Sequence, residues 1–206
     1  DQGIALLDDE AERIAVARLN LLAGQAAKHA TAYETAATYF KAGVDLMSEG
    51  MWRAEYRLMF DLHKELAEAA LLVVDFETAS SLYPLLLQQA QSDTDKLAVY
   101  LVQVHQLSRQ GKLVEALAVE TLALKMLGID LPDTEAGMQT LLEAELNAVQ
   151  KNLGNQNIDI VHLADAPVNN DEKQRAMMEL LSSIVITAFS MARPTLSAWA
   201  STKTSN

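Results

Sequence analysis

The chain has 206 residues, of which 32 are Ala and 32 Leu, against only 8 Gly and 4 Pro. Gly and Pro together average about 12% of residues; a chain with about half that share has few places to turn, and its commonest residues are strong helix formers, which argues against all-β and Rossmann-type α/β folds. A formal net charge of -12 opposes nonspecific nucleic-acid binding, and the absence of Cys excludes disulfides, thiolate zinc sites and a cysteine nucleophile.

Capping chemistry places the helix starts, because an Asp, Ser or Thr side chain can accept a bond from an unpaired N–H of the first turn. Asp9 with Glu12 and Thr31 with Glu34 have capping-box spacing. They predict a first helix from Asp9 to His29 and a second from Thr31 to Met47. Gly50 precedes a third, from Trp52 to Val73, with Tyr56, Met59, Phe60, His63, Leu66, Ala67, Ala70 and Leu71 on its apolar stripe. Asp75 caps a fourth that reaches Ala90. Ser92 to Asp95 open a fifth that ends at Gly111, and Lys112 to Leu127 form a sixth that stops at Gly128. Pro132 and Asp133 begin a seventh, to Leu153. An irregular connection over 154–170 contains Pro167, and a last helix from Asp171 to Met191 precedes Pro194 and a polar tail ending in Ser201 to Asn206. Connections are short, so neighbouring helices are expected to pack antiparallel.

Pairs of short-linked helices prompt a search for repeats. The tetratricopeptide pattern needs small residues where two helices cross and an aromatic that fills the gap to the next pair. Gly24, Ala36, Phe40 and Gly43 fit a first unit; Ala67, Ala79 and Tyr83 fit a second, with Leu86 departing; Gly111, Ala116 and Ala123 fit a third, whose aromatic position is Glu120. The competing reading is an ordinary helical bundle, since Ala is abundant everywhere. Either way the fold is all-α. The repeat reading makes it a superhelix of antiparallel helix pairs over residues 1–153, followed by the connection at 154–170 and, over 171–206, a terminal helix and polar tail that look like a truncated further repeat.

Particular strings also resemble one family. The stretch from Leu19 to Phe40 (LNLLAGQAAKHATAYETAATYF), the region from Trp52 to Ala79 with Tyr56, Leu62, Glu65, Glu68 and Phe76, and Leu127 to Pro132 (LGIDLP) resemble the helical-repeat region of large bacterial signalling ATPases. In those proteins the region follows an AAA-like, STAND-type ATPase domain, often preceded by a serine/threonine kinase-like domain. GAF or PAS sensor domains and a histidine kinase or diguanylate cyclase come after it. The resemblance implies a noncatalytic regulatory and protein-interaction module of a cytoplasmic signal-transduction protein, with the neighbouring ATPase and sensor domains as partners. A freestanding peptide-binding adaptor and the arm of a STAND-type transcriptional activator are the alternatives.

Motifs for chemistry are missing. Gly111-Lys112 lacks the upstream glycine loop and following hydroxyl of a P-loop, and neither Glu-x-x-His nor His-Glu-x-x-His occurs. No catalytic, cofactor-binding or metal-binding residue is therefore assigned. Neither a membrane span nor a signal peptide is legible, which agrees with a cytoplasmic location. Aligning the repeats places Arg18, Leu21, Gln25, Lys28 and His29 on a groove face of the first unit. Asp61, Lys64, Glu68, Leu71 and Leu72 occupy it in the second, and Ala98, Leu101, His105, Ser108 and Arg109 in the third. Arg18, Gln25, Lys28, His29, Lys64, Glu68, His105 and Arg109 are thus the candidate partner-binding residues of a locally basic groove suited to an acidic peptide. The last helix, with Met177, Met178, Leu180, Leu181, Ile184, Val185, Ile186, Ala188, Phe189 and Met191, is apolar on nearly every side. All-round burial is expected for it, completed by a homodimer.

Overall fold

The computed structural model describes residues 9–153 and 171–204, and every element among them is a helix. The connection expected at 154–170 lies outside the described residues. Contacts divide the chain into a first unit that ends at Val102 and a second that begins at Gln103.

In the first unit, α1 spans Glu10–His29 and starts where expected: the Asp9 carboxylate accepts the Ala11 N–H at 3.1 Å. It also ends where expected, at His29, by a closure that uses Thr31. Thr31 takes φ of +61°, its N–H bonds the Lys28 carbonyl, and the Ala32 N–H bonds the Ala27 carbonyl. This left-handed closure satisfies the last carbonyls of α1. Thr31 is thereby committed to ending one helix and cannot cap the next, so α2 spans Tyr33–Asp45 and begins without a side-chain cap. The third predicted helix is two: α3, Met51–Ala54, and α4, Tyr56–Leu72, separated by Glu55. The break lets Met51 and Trp52 bury, with the Trp52 ring 5.0 Å from that of His63. Asp75 accepts the Thr78 N–H and starts α5, Phe76–Gln89. Ser92 caps α6, Asp93–Arg109, by accepting the Asp95 N–H and donating back to the Asp95 carboxylate.

Helix α1 packs on α2, α2 on α4 and α4 on α5. A Cβ on Gly24 would collide with the Phe40 ring, and one on Gly43 with the Leu62 side chain. Backbone approach at these crossings therefore depends on the missing side chains. Leu58 and Leu62 of α4 pack with Ala17 and Leu46, while Leu66 and Ala69 pack with Ala36 and Phe40. Val99 and Val102 of α6 join the cluster built on Phe60, Ala67, Ala79 and Tyr83.

In the second unit, α7 spans Leu113–Met126, α8 Glu135–Leu153, α9 Glu172–Ser190 and α10 Pro194–Thr204. Helix α9 packs on α7 and α10, and α10 packs on α8. The expected polar string from Ser201 is thus helical as far as Thr204, and it continues a helix in which Leu196, Trp199 and Ala200 are buried. Pro194 is that helix's first residue, a position where a missing N–H costs nothing. All-round burial of α9 is not found either. Leu180, Leu181, Ile184 and Ala188 are buried, but Met178, Ile186 and Phe189 face solvent, Phe189 at 78% exposure.

One turn geometry recurs. Thr31, Val74, Gly111 and Ala192 all have φ between +54° and +71°, and each follows a helix whose final carbonyls it and the next residue satisfy. Each joins two consecutive helices: α1 to α2, α4 to α5, α6 to α7 and α9 to α10. Five residues beyond the first three of these turns stand Ala36, Ala79 and Ala116, all completely buried.

Candidate functional site

The groove residues of the first unit meet on facing turns of α1 and α4. Lys28 Nζ, near the end of α1, donates to Glu65 Oε2 and, at 2.7 Å, to Glu68 Oε2. Lys64 Nζ donates to Glu68 Oε1 at 2.9 Å, and Glu65 Oε1 lies 3.6 Å from it. Two ammonium groups thus face two carboxylates in a partly buried cluster, and the net charge there is zero. The locally basic character expected of this face is cancelled by Glu65, a residue one position outside the predicted groove set.

The ionisation equilibria carry the mark of this pairing. Burial alone would raise the Glu68 carboxyl, but the Lys64 and Lys28 charges outweigh it and hold the group below the usual carboxylate range. Burial likewise pulls the Lys28 ammonium down, and Glu68 and Glu65 together more than reverse it. Lys64 behaves the same way, raised against burial by Glu68 and Glu65.

The other predicted residues do not join this cluster. Arg18, ten residues earlier on α1, donates to Glu55 Oε2 at 2.6 Å, in the break between α3 and α4. Gln25 is half-buried and His29 exposed, both on the same helix as Lys28. His105 and Arg109 belong to the second unit, where His105 Nε2 stands 4.0 Å from Glu179 Oε1. Asp61 is taken by Arg57, whose Nε donates to Asp61 Oδ2 at 2.9 Å.

A second polar network involves residues that sequence reasoning did not single out for binding. Asp95 accepts from the Tyr56 hydroxyl at 2.8 Å, from Arg57 Nη1 at 3.1 Å and from Ser92. The Tyr56 oxygen in turn accepts the Gln91 N–H, and the Arg57 guanidinium lies 5.3 Å from the Phe60 ring centroid. The local pieces, Arg57 with Asp61 and Ser92 with Asp95, have legible spacing; their joining through Tyr56 is a tertiary contact. All its members hold α4 and the start of α6 together, so the network is structural.

Two buried ionisable groups remain. His63 Nδ1 donates to the Met59 carbonyl at 2.7 Å, and burial keeps its imidazole below the ordinary value despite that bond, as befits a core histidine. Glu120 is completely buried, four residues beyond Ala116 as Phe40 is beyond Ala36 and Tyr83 beyond Ala79. Its Oε1 accepts from Ser183 at 2.7 Å and Thr187 at 3.0 Å, both on α9, while Oε2 has no partner among the described residues. Burial pushes this carboxyl up, and the two hydroxyls only partly counter it. Among the described residues no cluster of His, Asp or Glu is arranged to hold a metal ion. No described helix is long and apolar enough to cross a membrane.

No protein-family model matches the chain, and no solved structure does. Among curated proteins it is similar to hybrid signal transduction histidine kinase G of Dictyostelium discoideum, 26% identical over 148 residues. That stretch is 68% of this chain and 4% of the relative, so the chain spans a small part of the relative's length. The likeness is weak.

Proposed function

We propose that the chain is a noncatalytic protein-interaction and regulatory module of a signal-transduction polypeptide, built from divergent tetratricopeptide-like helix pairs stacked as a superhelix. The observation that carries this reading is the recurrence of one left-handed helix closure, at Thr31, Val74, Gly111, Gly128 and Ala192, with a buried Ala at the same offset after the first three. Repeats of this kind cannot bury their faces alone, and their stacked surfaces serve as extended binding sites. The similarity to part of a hybrid histidine kinase supplies the signalling context. In the larger polypeptide, ATP binding and phosphoryl transfer belong to other domains, an AAA or STAND-type ATPase and a histidine kinase among them, and the module works in the cytoplasm. Its partner-binding residues are Arg18, Gln25, Lys28, His29, Lys64 and Glu68 in the first unit and, as a separate set, His105 and Arg109 in the second.

Two assays test this. With ATP and Mg2+ the purified chain is expected to release no phosphate and to acquire none; turnover that survives repurification would overturn the noncatalytic reading. In isothermal titration against a histidine-kinase catalytic core, binding is expected, and Gln25→Glu with His29→Glu should weaken it severalfold without changing the melting temperature. Absence of binding, or binding indifferent to both substitutions, would remove the groove from the proposal.

A further inference from the structure

The outer face of α1 is chemically out of place. Ala11, Ala15, Leu19, Leu22, Ala26 and Ala30 are all exposed, Leu19 at 63% and Leu22 at 61%, with the exposed Glu12 and His29 at the edges of the stripe and Arg18 just beside it. The repeat register shows what such a face does elsewhere. Aligning the left-handed turns at Thr31 and Val74 sets Leu19 on Leu62, Leu22 on Glu65 and Ala26 on Ala69. In α4 those three positions are buried, with Leu62 and Ala69 packed against α1 and α2. Aligning Val74 with Gly111 carries the same positions to Val99 and Val102 of α6, also buried. The α1 face is therefore continuous in kind with two helix-packing interfaces of this fold, yet no helix among the described residues covers it.

We propose that a second copy of this chain covers it, α1 against α1 antiparallel about a two-fold axis at the midpoint between Asn20 and Leu21. The stripe reads the same in both directions about that point: Leu19 mirrors Leu22, Ala15 mirrors Ala26, and Ala11 mirrors Ala30. An isologous interface requires this self-complementarity, because each patch must fit its own image. The central leucines of the two copies interdigitate, and the flanking alanines let the backbones approach closely along the rest of the helix. The exposed apolar residues of α9, Met178, Ile186 and Phe189, have no such mirror arrangement. A face about 30 Å long and about 10 Å wide buries roughly 600 Å² in total, below the approximately 1,200 Å² of a standard stable interface. The dimer is accordingly weak, with a dissociation constant on the order of 100 μM.

Sedimentation equilibrium of the wild-type chain up to several times that concentration tests the proposal. A monomer–dimer equilibrium is expected, and Leu19→Glu with Leu22→Glu should weaken it at least tenfold while leaving the circular-dichroism melt unchanged. Because the chain has no Cys, single reporter thiols give a second readout that does not depend on the charged variant folding. A mixture of Ala15→Cys and Ala26→Cys chains should be joined by a short bis-maleimide. Neither variant alone should be, since like positions lie about 16 Å apart along the axis in the antiparallel pair. A monomer at all concentrations overturns the proposal and leaves the face to a helical hairpin of another kind. So does a dimer that survives the glutamates, one abolished by Ile186→Glu with Phe189→Glu alone, or cross-linking of Ala15→Cys with itself.

Discussion

Val74→Gly and Gly111→Val are expected to change stability in opposite directions, because they exchange residues between two copies of one turn. Val74 is β-branched and held at φ of +67°, while Gly111 is at +71°. A left-handed non-Gly residue costs about 1–2 kcal/mol, with β-branching at the upper end. Replacing Val74 by Gly removes that cost. Against it stand about 0.4–1 kcal/mol from the looser unfolded chain and about 0.5 kcal/mol for the buried third of a side chain that is 63% exposed. The net is a stabilisation of about 0.5–1 kcal/mol. At Gly111 a Cβ meets nothing within 4 Å, so Gly111→Val has conformational strain as its main cost. Less the entropy gained in the unfolded chain, it should destabilise by about 1–1.5 kcal/mol. Urea unfolding followed by far-UV circular dichroism measures both, and the melting temperatures should separate by several degrees. If Val74→Gly lowers the urea midpoint, the left-handed turn is not a shared device of these hairpins and the strain argument fails.

Two further substitutions read the buried charges. Lys28→Met leaves Glu65 and Glu68 facing Lys64 alone and should cost about 2 kcal/mol, between the roughly 1 kcal/mol of an exposed pair and the roughly 3–5 of a buried one. Glu68 titrates below its ordinary 4.5, so its contribution is present above that pH and is lost as the pH falls through the folded-state value; wild-type and Lys28→Met urea midpoints should therefore converge in acid, and a constant gap would refute the pairing. Glu120 titrates above its ordinary 4.5, so the wild type is most stable below that pH and loses stability as the pH rises through the folded-state value. Glu120→Gln keeps an acceptor for Ser183 and Thr187 without the charge, and should be more stable at neutral pH by about 1.4 kcal/mol for each tenfold rise in proton affinity. Parallel pH profiles for the two proteins would show that Glu120 is not the titrating group.

The parts of the fold legible in the sequence are those decided within one helix turn or by a required absence of volume. Asp9, Asp75, Ser92 and Asp171 sit next to the N–H groups they cap, so spacing alone finds them. Gly24, Ala36 and Gly43 were readable because a crossing excludes larger residues whatever its exact geometry. Thr31 has the right chemistry for a cap and a different role, since the closure of the preceding helix sets its backbone. Pro194 marks a helix start as readily as a stop, and the buried Leu196, Trp199 and Ala200 decide between them. The candidate groove was the least legible part. Lys28 lies 37 residues from Glu65 along the chain, and spacing within a helix carries no information about which carboxylate a distant lysine will meet.

The overall charge gives that groove cluster its meaning. A chain with 28 acidic and 16 basic residues would gain affinity for acidic partners only by leaving its cations unpaired, and the described contacts do the reverse. Arg18, Lys28, Lys41, Arg57, Lys64 and Lys203 are each within ion-pair distance of carboxylates of the chain itself. Partly buried pairs of this kind add little net stability but penalise misregister, because a slipped helix would strand a charge away from its partner. Where small crossing residues and a common turn recur among helices, register is what the apolar pattern specifies least well. The links from Lys28 on α1 to α4, from Arg18 on α1 to Glu55 just before α4, and from Arg57 on α4 to α6, fix which helix follows which. The surface left for partners is then nearly neutral along the α1–α4 face, and the exposed apolar area at Leu19, Leu22, Ile186 and Phe189 offers association driven by burial, which salt screens far less than it screens ion pairs.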